Sequence, residues 1–212
     1  YLARDRFGEK PLYYGVVKGA LVFGSELKAL KCYPDFNPNL NAEAIQLLLR
    51  YAYINAPITI YEGIFKLESG YYLVAKPDLS FEKKVYWRPE SVIEQAKRNP
   101  YSGSFTEGVA ELERVLTEAV SLRMVSDVPV GAFLSGGVDS SMIVSLMQRV
   151  SKQPVKTFSI GFDNKAYDEA PFAKAVAEYL KTDHQELYVS EQDLLSVIPQ
   201  IPDLYDEPFA DS

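Results

Sequence analysis

Residues 129–150 read PVGAFLSGGVDSSMIVSLMQRV. PVGAFL is an apolar run of strand length, and Ile143, Leu146, Met147 and Val150 recur at helical spacing. Between them, LSGGVDSSM (134–142) sets adjacent glycines among serines and one carboxylate. Three readings compete for this junction. It can be a plain strand-to-helix turn, with Gly136 and Gly137 relieving backbone strain and Ser or Asp capping the helix. A nucleophile elbow needs G-x-S-x-G, but Phe133 stands where the leading glycine would be. The one histidine, His184, sits in a later strand pattern, so no base for a serine nucleophile is evident. In the third reading the glycine-rich turn is an anion nest: successive N–H groups and the positive helix N-terminus face a phosphate. Ser135, Ser140 and Ser141 would add hydroxyl donors. Asp139 would be repelled by bare phosphate, so this reading calls for a divalent cation between them. The spacing is shorter than a Walker A loop and lacks its Lys, which suits a grip on pyrophosphate.

The pattern continues on both sides. Val109, Leu112, Leu116, Ala119 and Val120 precede the junction at helical spacing. After it come a strand, VKTFSIGF (155–162), and a helix opened by Pro171 with Phe172, Val176 and Leu180 on its apolar face. A third strand, HQELYV (184–189), leads to a capping box of Ser190 with Asp193 ahead of Leu194, Leu195 and Ile198. Strand–helix–strand–helix–strand predicts an α/β unit built on a parallel sheet, with ligands off the carboxyl ends of its strands.

The first 88 residues read differently. PLYYGVV (11–17) and LVFGSE (21–26) form a hairpin through Lys18-Gly19. GYYLVA (70–75) and KKVYW (83–87) flank the turn-rich PDLSFE (77–82) as a second hairpin. Between the hairpins, Asn41 is placed to cap a helix with Ile45, Leu48 and Leu49 on one face. RPESVIEQAKRNPYSGS (88–104) carries two prolines and few strong apolar positions and reads as a linker. The expected domains are therefore 1–90 and 105–212, joined by 91–104.

Composition narrows the function classes. A 47% hydrophobic and 24% charged chain of 212 residues can bury a core. Its net charge of -7 argues against binding that depends on neutralising nucleic-acid phosphates. No apolar run is long enough to span a membrane. YLARDRFGEK (1–10) has no initiator Met and no signal-peptide layout, and the chain reads as an excerpt of something longer. One cysteine, Cys32, excludes an intrachain disulfide and fits a reducing compartment; its neutral setting reads as structural.

SGGVDSS (135–141) resembles the pyrophosphate loop of the N-type ATP pyrophosphatases, which include the GMP, NAD, argininosuccinate and asparagine synthetases. The motif alone does not choose among them. The flanks do: DVPVGAFLSGGVDSS (127–141), TFSIGF (157–162), YDEAPFAKAVAEYLKTDHQEL (167–187) and LYDEPFADS (204–212) resemble glutamine-hydrolysing asparagine synthetase. ARDRFGEKPLYY (3–14) and GSELKAL (24–30) resemble the late part of that family's glutaminase domain.

The resemblance implies a Rossmann-like PP-loop domain behind an α+β portion of an Ntn-type glutaminase. It also implies a reaction in which aspartate, glutamine and ATP give asparagine, glutamate, AMP and pyrophosphate through β-aspartyl-AMP and transferred ammonia. Carried over by position, Ser135, Gly136, Gly137, Val138, Asp139 and Ser140 are the pyrophosphate loop. Asp139 is the Mg²⁺ carboxylate, and Leu134 and Ile160 hold the adenosine. Asp206 and Glu207 continue an active site or form a solvated acidic loop; His184 is a structural strand residue; Arg4 and Asp5 pair with each other or with neighbours.

No catalytic residue is assigned within the chain. The family's nucleophilic cysteine and its glutamine-binding residues would precede Tyr1, and Cys32 stands in the wrong context to replace that nucleophile. ATP and Mg²⁺ are the expected cofactors, with no nucleic-acid or membrane partner and a cytoplasmic setting, and the resemblance leaves room for a homodimer. Amidation or cyclisation of another carboxylate, or nucleotide binding without catalysis, are the competing functions.

Overall fold

The computed structural model describes residues 1–165 and 168–209. They form two compact units: Tyr1–Pro100 together with the described part of Pro199–Ser212, and Tyr101–Ile198.

The first unit is antiparallel. Its strands are β1 (Leu2–Ala3), β2 (Tyr13–Val17), β3 (Ala20–Gly24), β4 (Ile64–Lys66), β5 (Tyr71–Ala75) and β6 (Phe81–Val85). They make two three-stranded sheets in the orders β3-β2-β4 and β1-β5-β6. Both expected hairpins are present. β2 meets β3 through Lys18 and Gly19, both at positive φ (48° and 79°), the turn whose twist matches two antiparallel strands. β5 meets β6 around Asp78, whose carboxylate accepts from the Ser80 amide and hydroxyl at 3.0 and 2.6 Å.

Alternation along β2 gives the unit its layers. Tyr13 packs with Val22, Ile64, Leu27 and Leu30, the last two from α1 (Leu27–Lys31). Tyr14 points the other way, against Leu67 and Leu73. Arg4 and Asp5 do not pair with each other. Arg4 donates to the carbonyls of Lys10, Leu67 and Gly8, and Asp5 accepts from the amides of Phe7, Glu9 and Lys10. The amides of Glu9 and Lys10 hold the Asp5 carboxyl below its usual range.

Asn41 caps α2 (Ala42–Tyr51) as expected, accepting from the Glu43 and Ala44 amides. The buried face of α2 is not the expected one: Ala44 is fully buried, whereas Leu49 is 83% exposed. A helix that approaches its neighbours closely does so over the small side chain, and the face turns by about one residue.

The stretch read as a linker contains α3 (Pro89–Arg98), which starts at Pro89 and buries no residue. Cys32 ends α1 on the surface, its thiol donating to the Lys28 carbonyl at 3.5 Å.

The second unit carries α4 (Phe105–Arg123), β7 (Gly131–Phe133), α5 (Val138–Val150), β8 (Lys156–Phe162), α6 (Ala170–Leu180), β9 (Asp183–Val189) and α7 (Glu191–Val197). A short α8 (Ile201–Leu204) belongs to the first unit. The sheet is parallel in the order β7-β8-β9. Right-handed crossovers that step in one direction put α5 and α6 on one face. There Leu134, Val144, Ala173 and Ala177 form one cluster, and Val120, Leu146, Met147 and Val155 another.

The helix faces depart from expectation in the same way as α2. Of the expected α6 face, Val176 and Leu180 pack against the core, whereas Phe172 is 68% exposed and the buried residues are Ala170, Ala173 and Ala177. Only Leu116 and Val120 of the expected α4 face join the core. Leu194, Leu195 and Ile198 are exposed. The capping boxes of Ser104 with Glu107 and Ser190 with Asp193 are both complete. Ser104→Ala is expected to cost about 1 kcal/mol, measured as a lower urea midpoint with an unchanged slope.

Candidate functional site

The site is the turn between β7 and α5. The β7–β8 ladder ends on the Leu134 amide, which donates to the Phe158 carbonyl at 2.8 Å. The Leu134 side chain is buried with Val144 and Ala173. With side chain and amide both engaged, any ligand contact at Leu134 must use its carbonyl.

The chain then turns at Gly136, whose φ is +79°. A Cβ there would lie 2.7 Å from Phe172 and from the Ala173 amide, so the turn rests on the first turn of α6 with no room for a side chain.

Gly137 is the residue before α5, and no side chain caps that helix. The other long helices differ. Asn41, Ser104 and Ser190 cap α2, α4 and α7, while α3 and α6 have a proline in their first turn. A helix leaves its first N–H groups without intrahelical partners, and a cap or an N-terminal proline removes part of that deficit. α5 has neither. Its first turn, Val138–Ser140, therefore offers donors together with the positive end of a 13-residue helix.

Hydroxyls surround this opening. Ser135 and Ser140 Oγ lie 2.9 Å apart. The Ser140 hydroxyl accepts from the Ser135 amide at 3.3 Å, and Ser135 Oγ accepts from the Gly137 amide at 3.3 Å. Ser141 donates to the Gly137 carbonyl at 2.7 Å, which fixes the turn. Asp139 lies in the first turn of α5 and is exposed.

Among the described residues no group of three or more His, Cys, Asp or Glu side chains could hold a metal ion. The one exposed carboxylate in the first turn of α5 is compatible with Mg²⁺, which takes one or two carboxylates and completes its shell with ligand oxygens and waters.

The remaining candidates fall elsewhere. Ile160 lies inside β8, paired with Leu187, with its side chain 45% exposed. His184 has a structural setting: Nδ1 is 2.9 Å from Thr157 Oγ1, and Nε2 is 3.2 Å from Ser159 Oγ. Thr157 also meets Thr182 Oγ1 at 2.8 Å and is fully buried. Thr157→Val would strand polar groups in a half-buried ladder, and is expected to lower the unfolding free energy by about 1–3 kcal/mol in urea titration.

Asp206 and Glu207 are not a solvated acidic loop; within the first unit, Asp206 accepts from the Leu27 and Lys28 amides and Glu207 from the Ile60 amide. Of the family-like segments, Tyr167 and residues 210–212 lie outside the described residues. Sequence reasoning had no means to see the polar ladder at His184, because it needs the β8–β9 register.

A parallel sheet whose first strand runs into an uncapped glycine-rich turn defines an α/β protein with an anion-suited strand end. Residues 111–212 match the asparagine synthase family model, and residues 1–87 match that of the glutamine amidotransferase domain. The chain belongs to the glutamine-hydrolysing asparagine synthetase family.

It is 38% identical to a putative asparagine synthetase [glutamine-hydrolyzing] 2 of Methanocaldococcus jannaschii, over all of this chain and 40% of that protein. It is 33% identical to asparagine synthetase [glutamine-hydrolyzing] 1 of Bacillus subtilis, over all of this chain and 32% of that protein. It is also 31% identical to amidase chry2 of Gibberella zeae, over 92% of this chain and 30% of that protein. The chain thus spans 30–40% of the length of these relatives. No helix among the described residues is long and apolar enough to cross a membrane.

Proposed function

We propose that the Ser135–Ser141 turn grips the pyrophosphate part of ATP in an ATP-dependent amide synthetase. The observation that carries this reading is the uncapped N-terminus of α5, joined to a turn in which Gly136 has positive φ and three serines converge.

The first-turn amides of α5 would bind the phosphate oxygens. Ser135 and Ser140 would exchange their mutual hydrogen bond, and Ser141 its bond to the Gly137 carbonyl, for bonds to the ligand. Asp139 would hold Mg²⁺, which supplies charge neutralisation to the departing pyrophosphate. Leu134 and Ile160 would border the adenosine.

A carboxylate is a poor acyl donor, and transfer of AMP to it creates a good leaving group. In this reading the aspartate β-carboxylate attacks the α-phosphorus, giving β-aspartyl-AMP and pyrophosphate. Ammonia, released as glutamine is hydrolysed to glutamate, then displaces AMP to give asparagine. The whole protein would use an Ntn-type glutaminase domain ending in residues 1–90, a connector at 91–104, and a synthetase domain beginning at 105. We place it in the cytoplasm, with small-molecule partners and a homodimeric assembly.

The test is exchange of labelled pyrophosphate into ATP by the full-length protein. Exchange is expected only with Mg²⁺ and a carboxylic acid, with aspartate the strongest of a panel. Exchange stimulated by another acid and not by aspartate would assign a different acceptor, and no exchange with any acid would remove the synthetase reading.

A further inference from the structure

Two consecutive carboxylates near the end of the chain make contacts that neither the loop nor the sheet explains. Asp206 Oδ2 accepts from the Leu27 amide at 2.8 Å, and Oδ1 from the Lys28 amide at 3.1 Å. It thereby closes the first turn of α1, which its own preceding residue, Glu26, does not cap with a side chain. Glu207 Oε1 accepts from the Ile60 amide at 2.8 Å, and Oε2 forms an ion pair with Lys66. The two side chains of that pair are only 10% and 13% exposed. Lys66 also donates to the Ile54 carbonyl, and Lys28 Nζ to the Leu204 carbonyl at 3.3 Å.

These bonds bridge 147 to 179 residues of sequence. They also join stretches with different family matches. Asp206 and Glu207 lie in the part that matches asparagine synthase, and their partners lie in the part that matches the glutamine amidotransferase domain.

We propose that Asp206 and Glu207 are positioning residues: a two-point clasp that holds the 199–209 stretch against α1, Ile60 and β4 within the first unit and thereby couples ammonia supply to amide synthesis. The coupling role rests on the amidotransferase reading above.

Two anchors on adjacent residues fix orientation as well as position, because the segment cannot pivot about either bond while the other holds. A merely adhesive contact would need only apolar side chains. A mostly buried ion pair instead penalises every arrangement that separates the two charges. Tyr13 lies beside the clasp. Burial first, and then the negative charges of Glu207 and Asp206, push its hydroxyl well above the usual range, so it stays protonated next to them.

The test uses the full-length protein with Asp206→Asn, Glu207→Gln and the double variant Lys66→Met/Glu207→Gln, which leaves no unpaired buried charge. Three rates are compared: glutamine hydrolysis, amide synthesis from ammonium salt, and amide synthesis from glutamine. The ratio of glutamine-driven to ammonia-driven synthesis is expected to fall at least about 5-fold, while the other two rates stay within about 2-fold of wild type. Hydrogen exchange is measured on the same samples. The amides of Leu27 and Lys28 should exchange faster in Asp206→Asn, and that of Ile60 in the Glu207 variants.

An unchanged ratio in variants whose amides are released would overturn the coupling role, and unreleased amides would overturn the clasp. A wild-type protein that forms no amide from any carboxylate defeats the functional reading and the coupling with it. In that case amide exchange still decides whether the clasp exists.

Discussion

Gly136→Ala is expected to abolish nucleotide chemistry and to destabilise the second unit at the same time. At φ +79° a non-glycine residue pays about 1–2 kcal/mol. The added Cβ would sit 2.7 Å from the Phe172 carbon atoms and the Ala173 amide, which are largely backbone and cannot step aside cheaply. Overpacking of this kind adds about 1–3 kcal/mol. The relief available is for the turn to lift off α6, and that displaces the donors of the α5 first turn. Misplacement of about 1 Å costs about 100-fold in rate, so exchange of pyrophosphate into ATP should fall at least that far.

Gly137→Ala is the control for stability. Its backbone is ordinary, at φ −70°, and its Cβ would meet only Ser135 Oγ at 3.3 Å. Thermal melts of both variants should therefore separate, with Gly136→Ala much the lower. Equal melting temperatures would mean that the turn does not rest on α6.

Asp139→Asn should have the opposite signature: a large loss of activity with little loss of stability. The side chain is exposed, and no hydrogen bond or ion pair to it is present among the described residues. The fold loses only a carboxylate near a helix N-terminus, about 0.3–1 kcal/mol. If that carboxylate holds Mg²⁺ against the phosphates, exchange should fall by about 100-fold or more, equivalent to about 2.7 kcal/mol of transition-state stabilisation. The Mg²⁺ concentration needed for half-maximal exchange should rise. A variant with wild-type exchange and wild-type Mg²⁺ dependence would remove Asp139 from the metal site.

The parts of the molecule legible in its sequence are those that depend on local chemistry. Lys18-Gly19 can hardly be other than a tight hairpin, and Asn41 and Ser190 announce helix starts because their side chains bond amides two or three residues on, whereas the equally complete cap at Ser104 sits at the end of the stretch read as a linker. The alternation of periods around 129–189 dictated a parallel sheet. The glycine-rich turn stood at the carboxyl end of its first strand for the same reason.

Two kinds of feature were not legible. Helix orientation was misjudged wherever alanine makes the contact. Reading by apolar bulk favoured Phe172 and Leu49, whereas Ala173 and Ala44 allow the close approach that buries a helix. Long-range polar contacts left no local trace either. Thr157 and His184 meet only through the β8–β9 register, and Glu207 finds Ile60 and Lys66 only after the chain has built an entire second unit. The choice among pyrophosphate-forming synthetases likewise came from resemblance in the flanks, since the turn itself contains nothing that recognises an acceptor.

The central claim is that this turn holds the pyrophosphate part of ATP, so that ATP is cleaved between its α and β phosphates. The most direct measurement is the identity of the nucleotide product when the full-length protein turns over ATP with Mg²⁺, aspartate and an ammonia source. The account predicts AMP and pyrophosphate in equal amounts, each matched by one amide formed; ADP with orthophosphate as the products would contradict it.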